Sequence, residues 1–249
     1  MNGCSWTANT NCAVQSGFSP AGYTGNAVKF NFDVGLYGVS ELRYDLDAEY
    51  PEMYLGLKVY FPLGTESPSV GPKFLYGTVP AGSNKLLRLW SQTIETYTSS
   101  GTTYPDARRY PIVGAQFSDS AGTGGAGVGV GDAGLKPSAG VYPFTGGTVS
   151  QLDTDSRPLL IDANRGRWLT LEMYAKQDTI TATGTGNGIV RWWLDGTLLT
   201  ESLNLDMYEV SYTGFGGGYV FGAVDRLLQN AGSCAYLGYF GASPTQRVF

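Results

Sequence analysis

The feature that most constrains this chain is a two-residue period that returns in segment after segment. Between Glu41 and Glu49, Leu42, Tyr44, Leu46 and Ala48 alternate with Arg43, Asp45, Asp47 and Glu49. Between Met53 and Phe61, the apolar row is Met53, Leu55, Leu57, Val59 and Phe61. Successive side chains of a strand point to opposite faces, so each segment reads as a β-strand with one buried row. The same pattern, punctuated by Gly, Pro, Asn and Asp, predicts strands over Ala27 to Asp33, Asn84 to Gln92, Pro111 to Phe117, Pro158 to Asp162 and Arg167 to Lys176. It continues over Gly188 to Thr200, Leu205 to Tyr212, Gly217 to Ala223 and Cys234 to Ser243. About ten to thirteen short strands at this spacing predict an all-β antiparallel sandwich or barrel.

One turn is specified by chemistry. Asp195-Gly196 separates two apolar-rich runs, and this dipeptide accepts the positive φ angles of a type I′ hairpin. A single helical turn is expected at Val224 to Asn230. Residues 1–26 are polar and rich in Gly, Asn, Ser and Thr, and read as an irregular N-terminal arm ahead of one domain over 27–249. Ten of the 36 glycines fall within residues 118–150, which read as a long surface loop or an insertion crossing a sheet. That tract contains Gly129-Val130-Gly131-Asp132-Ala133-Gly134, but Pro137 and the flanking glycines deny the helix a dinucleotide fingerprint requires.

Composition removes whole classes of chemistry. The chain has no histidine, so Ser-His-Asp and Cys-His nucleophile systems, His-ligated zinc and imidazole acid/base catalysis are excluded. Ten arginines and six lysines are scattered, and the net charge of −5 offers no basic nucleic-acid footprint. No apolar run is long enough for a membrane-spanning helix, and no export signal precedes the first strands. Cys4, Cys12 and Cys234 make an odd set. Cys4 and Cys12 could close a small loop; the alternative is reduced, partly buried cysteines.

With the apolar rows turned inward, the opposite rows carry Arg43, Asp45, Asp47; Tyr54, Lys58, Tyr60; Arg88, Trp90, Gln92; Glu172, Tyr174, Lys176; and Arg191, Trp193. Aromatic planes beside carboxylates and guanidinium groups suit the apolar faces and hydroxyl rims of sugars. The plainer alternative is an ordinary solvated sheet face.

Several segments carry a resemblance. They are Met53 to Pro62, Asn84 to Trp90, Arg167 to Tyr174, Gly188 to Gly196 and Tyr236 to Ser243. The most specific pair is Trp168-x-x-x-Glu172 followed by Gly188-x-x-x-x-Trp193-x-Asp195-Gly196. In these patches the chain resembles the concanavalin A-like jelly-roll superfamily, within it the branch of polysaccharide lyases and lectin-like glycan-binding domains. The resemblance implies one antiparallel jelly-roll β-sandwich over 27–249, with a Gly-rich insertion at 118–150. The outward rows supply the glycan-binding candidates Tyr54, Lys58, Tyr60, Arg88, Trp90, Gln92, Glu172, Tyr174, Arg191 and Trp193, and the resemblance implies a polysaccharide or cell-surface glycan as partner.

The first expectation is a non-catalytic glycan-binding or virion-surface module. An acidic, His-free, lectin-like chain without an export signal suits a phage decoration, tail or receptor-binding role, assembled as a homo-oligomer or among virion subunits. The alternative is a polysaccharide lyase, with Tyr174, Tyr54 or Tyr60 as base beside Arg88 and Gln92 in a single groove with Trp90. A third reading is hydrolysis, since Asp45-Leu46-Asp47-Ala48-Glu49 resembles the E-x-D-x-E strand of laminarinase-type glucanases. Strand positions i and i+4 lie about 13 Å apart, against the roughly 5–5.5 Å that retaining chemistry needs. No cofactor is expected; Asp153, Asp155 and Asp162 are the carboxylates that a Ca2+ ion would use, and dispersed surface acids are their commoner role.

Overall fold

The computed structural model describes residues 5–8, 12–15, 23–32, 38–62, 85–91, 95–99, 102–119, 133–142, 157–160, 164, 166–182, 184–208, 213–224 and 233–249. Their strands form two antiparallel sheets. Sheet A runs β1 (Ser5–Ala8), β4 (Gly38–Tyr50), β14 (Phe215–Val224), β6 (Lys85–Trp90), β8 (Thr102–Asp119), β9 (Ala133–Tyr142) and β10 (Arg157–Leu160), with β7 (Glu95–Ser99) paired to β8. Sheet B runs β13 (Thr197–Leu205), β12 (Gly188–Leu194), β11 (Trp168–Lys176), β5 (Glu52–Tyr60), β15 (Ser233–Ser243), β3 (Ala27–Phe32) and β2 (Cys12–Gln15). The predicted antiparallel sandwich is what the chain forms. No helix among the described residues is long and apolar enough to cross a membrane.

The alternating rows face inward as the sequence requires. Met53, Leu55, Leu57 and Val59 of β5, and Leu169, Leu171 and Met173 of β11, are fully buried. They meet Leu42, Tyr44 and Leu46 of β4, Leu87 and Leu89 of β6, and Val220 of β14 in one continuous core. Aromatic contacts tie the layers together, with Tyr44 4.6 Å from Phe240 and Phe30 4.5 Å from Phe221. Phe221 takes a positive φ of 59°, and both it and its neighbour Val220 are buried in the core. A left-handed non-glycine residue costs roughly 1–3 kcal/mol. Burying a phenylalanine offsets this by a comparable amount, roughly 1.5–3 kcal/mol.

Glycine has a specific task in β14. A Cβ on Gly218 would lie 1.9 Å from the Arg88 carbonyl oxygen and 2.5 Å from the Tyr44 hydroxyl. Its absence lets the buried Tyr44 hydroxyl reach over β14 and donate to the Arg88 carbonyl at 2.8 Å.

Three expectations are corrected. The arm is not irregular throughout: β1 pairs with β4 and β2 with β3, at the outer edges of the two sheets. Four-residue strands at an edge are too short to show a period, which is why polar composition dominated there. The Gly-rich tract is not one loop, because Ala133–Tyr142 is β9, laid against β8 from Arg109 to Asp119. The strand expected from Leu205 does not form over 206–208: β13 ends at Leu205, the Met207 N–H is taken at 3.0 Å by the buried Asp178 carboxylate, and residues 209–212 lie outside the described residues. At Val224 to Asn230, β14 runs through Val224, and the remainder lies outside the described residues. The described backbone carries Cys12 in β2 and Cys234 in β15; Cys4 lies outside the described residues, and nothing bears on the pairing of the three.

The predicted hairpin is present, with φ of 48° at Asp195 and 80° at Gly196, joining β12 to β13. Its turn is bolted to β11. Asp195 N–H donates to the Thr170 carbonyl at 2.8 Å, and Thr170 N–H donates to Asp195 Oδ1 at 2.9 Å. Arg167 Nη1 completes the set at 2.7 Å from Asp195 Oδ2. Desolvation alone would raise this carboxyl, but Thr170 and Arg167 together hold it below the usual carboxylate range. A lowered folded value adds stability above the unfolded pKa of about 3.9 that is lost as pH falls through the folded one. Asp195→Ala is expected to lower stability by about 1–2 kcal/mol at pH 7, from the lost bonds and the left-handed backbone. Chemical denaturation should show the Asp195→Asn deficit shrinking as pH drops below about 4.

Candidate functional site

The outward face of sheet B gathers seven of the ten predicted residues on three adjacent strands. Tyr54 lies opposite Tyr174, Gly56 opposite Glu172, Lys58 opposite Thr170, and Tyr60 opposite Trp168. On the far side of β11, Glu172 lies opposite Trp193 and Tyr174 opposite Arg191. The Tyr54 and Tyr174 rings stack at 4.5 Å, and the Arg191 guanidinium sits 5.6 Å from the Tyr174 ring while pairing with Glu201. Tyr174 donates its hydroxyl to Glu52 Oε2 at 2.5 Å. Burial, and after it this bond to Glu52, push the phenol well above its ordinary value.

This face is not an open groove. After β15 the chain turns at Ser243, whose Oγ accepts from Thr245 N–H at 3.4 Å and Gln246 N–H at 3.3 Å. Residues 244–249 then lie back across the sheet as a strap. The Glu172 carboxylate, 1% exposed, is its anchor. Glu172 Oε2 accepts from Arg247 Nε at 2.8 Å and also from Arg247 Nη2. Glu172 Oε1 accepts from the N–H groups of Val248 at 2.8 Å and Phe249 at 3.0 Å. Val248 fills a notch made by two glycines opposite each other on β5 and β15: a Cβ on Gly56 would lie 2.6 Å from the Val248 side chain, and one on Gly241 2.7 Å. Arg247 covers Trp193 at 4.9 Å, and Phe249 meets Tyr239 at 5.4 Å.

The other end of the same face is also covered. Tyr23 packs on Trp168 at 4.4 Å and donates its hydroxyl to the Gly238 carbonyl at 2.5 Å. Lys58 sits 5.5 Å from the Tyr23 ring, and Tyr60 lies 5.5 Å from Trp168.

Arg88 and Trp90 are elsewhere. They alternate with the core residues Leu87 and Leu89 of β6, and so sit on the outward face of sheet A, across the core from Tyr54 and Tyr174. The single groove expected for Tyr54, Tyr174, Arg88 and Trp90 is therefore not formed. The period assigns a residue to an inward or outward row, but it does not say which sheet a strand joins. Gln92, Asp153, Asp155 and Asp162 lie outside the described residues.

Sheet A brings in a residue that the sequence reading did not single out. Tyr219 of β14 lies opposite both Arg88 and Arg43. The Arg88 guanidinium is buried; desolvation pulls its pKa down, while charge and a hydrogen bond with the Tyr219 side chain oppose this. Trp90 meets Tyr219 at 5.1 Å, nearly edge-on. Glycines leave room for these large groups: a Cβ on Gly114, opposite Arg88, would lie 3.0 Å from its Nη1. Beside this floor, Arg43, Asp45 and Asp47 are exposed along β4. The signal for Tyr219 was its place in the Gly-rich run Phe215 to Tyr219, where glycine in a strand marks close approach. The E-x-D-x-E reading finds Glu49 accepting from Ser91 and Thr213 hydroxyls, both at 2.5 Å. That commits the carboxylate to the scaffold.

No protein-family model and no curated protein matches the chain. Solved structures do. The endo-β-1,4-glucuronan lyase of the fungus Trichoderma reesei superposes with a TM-score of 0.55 at 13% identity, covering 99% of this chain and 96% of that one. The fold is the concanavalin A-like jelly roll. Alginate lyase vAL-1 from Chlorella virus gives 0.53 at 13% identity, over 95% and 90% of the two chains. A mutant of alginate lyase Aly36B, in complex with alginate tetrasaccharide, gives 0.54 at 9%, over 90% and 82%. At these identities the likeness is one of fold.

The Tyr174 geometry makes its own forecast. A folded pKa raised above the unfolded value contributes stability present below about pH 10 and lost as pH rises through the folded value. Tyr174→Phe is expected to lower stability by about 1 kcal/mol at pH 7. Denaturation at pH 7 and pH 9 should give the same deficit, and ultraviolet titration should show no loss of a tyrosine that ionises near pH 10.

Proposed function

We propose that this chain is a carbohydrate-binding β-sandwich that holds a polysaccharide on the outward face of sheet A without cleaving it. The observation that carries this reading is the contrast between the two outward faces. Sheet B is partly covered by the strap and by Tyr23, whereas sheet A presents the exposed polar row Arg43, Asp45 and Asp47 beside a buried Trp90–Tyr219 pair. Exposed guanidinium and carboxylate groups in one row match the hydroxyl rim of a sugar. Tyr174 is a poor base, because its proton is shared with Glu52 and its pKa is raised. The lyases that share the fold, one in complex with an alginate tetrasaccharide, support a carbohydrate ligand.

A second reading has one specific observation behind it. Arg88 against Tyr219 places a guanidinium beside a phenol, the pairing that favours negative charge on a phenolate or on a uronate carboxylate. In a lyase, Tyr219 would take the proton next to that carboxylate and Arg88 would neutralise it.

One experiment separates the readings. Alginate, glucuronan, heparin and pectin are presented to the full chain by calorimetry and by ultraviolet assay for unsaturated uronate. Binding without new absorbance is the expected result. Arg43→Ala and Asp45→Asn should each weaken binding about tenfold, or about 1.4 kcal/mol. Absorbance that Tyr219→Phe abolishes would replace binding with the lyase. Unchanged affinity in both exposed-residue variants would remove sheet A as the site.

A further inference from the structure

The strap on sheet B is held by contacts that any copy of the same segment could make. All four bonds to Glu172 come from residues 247–249, which lie 75 or more positions away in the chain. The notch between Gly56 and Gly241 takes the Val248 side chain, and Trp193 takes the Arg247 guanidinium. The hinge is short, running from Ser243 to Gln246, and its two Ser243 Oγ bonds are at the long end of the range. Pro244 keeps Ser243 in an extended conformation. If the hinge straightens, the six residues reach roughly 20 Å from the end of β15.

The same face carries the apolar surface. Among the described residues, the exposed large hydrophobic side chains are Leu198 at 48%, Leu203 at 44%, Tyr239 at 46% and Phe249 at 46%. Leu198 lies opposite Trp193, and Tyr239 lies opposite Lys58. Leu203 stands two residues beyond Glu201, which pairs with Arg191 on this face. All four therefore lie on sheet B's outward side or on the strap itself.

We propose that the 244–249 segment is exchanged between two copies of this chain, each strap seating in the other copy's Glu172 notch. Exchange keeps every bond made within one copy, and it brings the two sheet B faces together over Leu198, Leu203, Tyr239 and Phe249. The arrangement is isologous, with two equal sites related by a twofold axis. The occupant is set by charge: a buried carboxylate that accepts from a guanidinium and two successive backbone N–H groups selects an extended segment with arginine preceding a small apolar residue.

The test uses two full-length variants, Glu172→Arg with its strap intact and Arg247→Glu with its notch intact. Within either chain, strap and notch carry like charges; between the two, they are complementary. Light scattering should give each variant alone as a monomer and the equimolar mixture at twice that mass. A labelled peptide of residues 243–249 should bind the Arg247→Glu chain at least tenfold more tightly than the Glu172→Arg chain. If Glu172→Arg does not fold, Gly56→Leu blocks the notch sterically and Val248→Asp disables the strap, and that pair is mixed instead. A mixture that stays at monomer mass, with both variants keeping the parent far-ultraviolet spectrum, overturns the proposal. Peptide binding without a mixed dimer also overturns it, because the clamp would then act only within one chain.

Discussion

Burying one row of each strand forces the other row outward, and this constraint governs everything chemical in the molecule. Leu169, Leu171 and Met173 fill the core from β11, each worth roughly 1.5–3 kcal/mol in removal from water. That fixes Glu172 and Tyr174 on the opposite side, and pairing with β5 then sets Gly56 and Tyr54 beside them. A slip of one residue would drive a carboxylate into the core and the apolar row into water. The register that builds the outward sites is thus enforced by the inward ones.

Glu172 is an outward residue that is buried after all, and its burial has to be compensated. Removing a carboxylate from water costs several kcal/mol even after relaxation. Hydrogen bonds to a charged group return roughly 1.5–3 kcal/mol each, and Glu172 accepts four, all from the strap. The two contributions are of similar size, so the clamp gives little net stability. What it provides is position, since all four of these bonds come from residues 247–249. Asp178 is the contrasting case. It is equally buried, but it accepts from the N–H groups of Ile180, Asn187 and Met207, all within the fold next to it. Asp178 organises a loop between two strands, whereas Glu172 organises a segment that leaves β15 through one short hinge.

The strands with buried rows were legible in the sequence because burial writes the period directly: β4, β5, β11 and β15 fall close to the predicted bounds. The Asp195-Gly196 turn was legible because few residues accept its backbone angles. Edge strands β1 and β2 were not, since four residues are too few to carry a period. Strand β9 was hidden by glycines that suggested a loop. The candidate site was legible only as outward rows. Assigning Arg88 to sheet A and Tyr174 to sheet B needs the strand order, which depends on pairings between residues far apart in the chain. Tyr219 joins Arg88 across a 131-residue separation for the same reason.

The two outward tyrosines at the centre of the functional question differ in what surrounds them. Tyr174 faces a carboxylate that keeps its proton in place. Tyr219 faces a guanidinium, but Tyr219 and Arg88 are both closed to solvent, at 6% and 1% exposure. Proton abstraction needs a base within hydrogen-bond reach of the substrate carbon's proton, roughly 3 Å. Recognition needs only that exposed polar groups meet the ligand's hydroxyls. Arg43, Asp45 and Asp47 meet that weaker requirement on sheet A, while the Arg88–Tyr219–Trp90 floor holds the strands that carry and flank them in register. On the proposed reading, this difference in access, more than the identity of the side chains, is what separates binding from cleavage at this face.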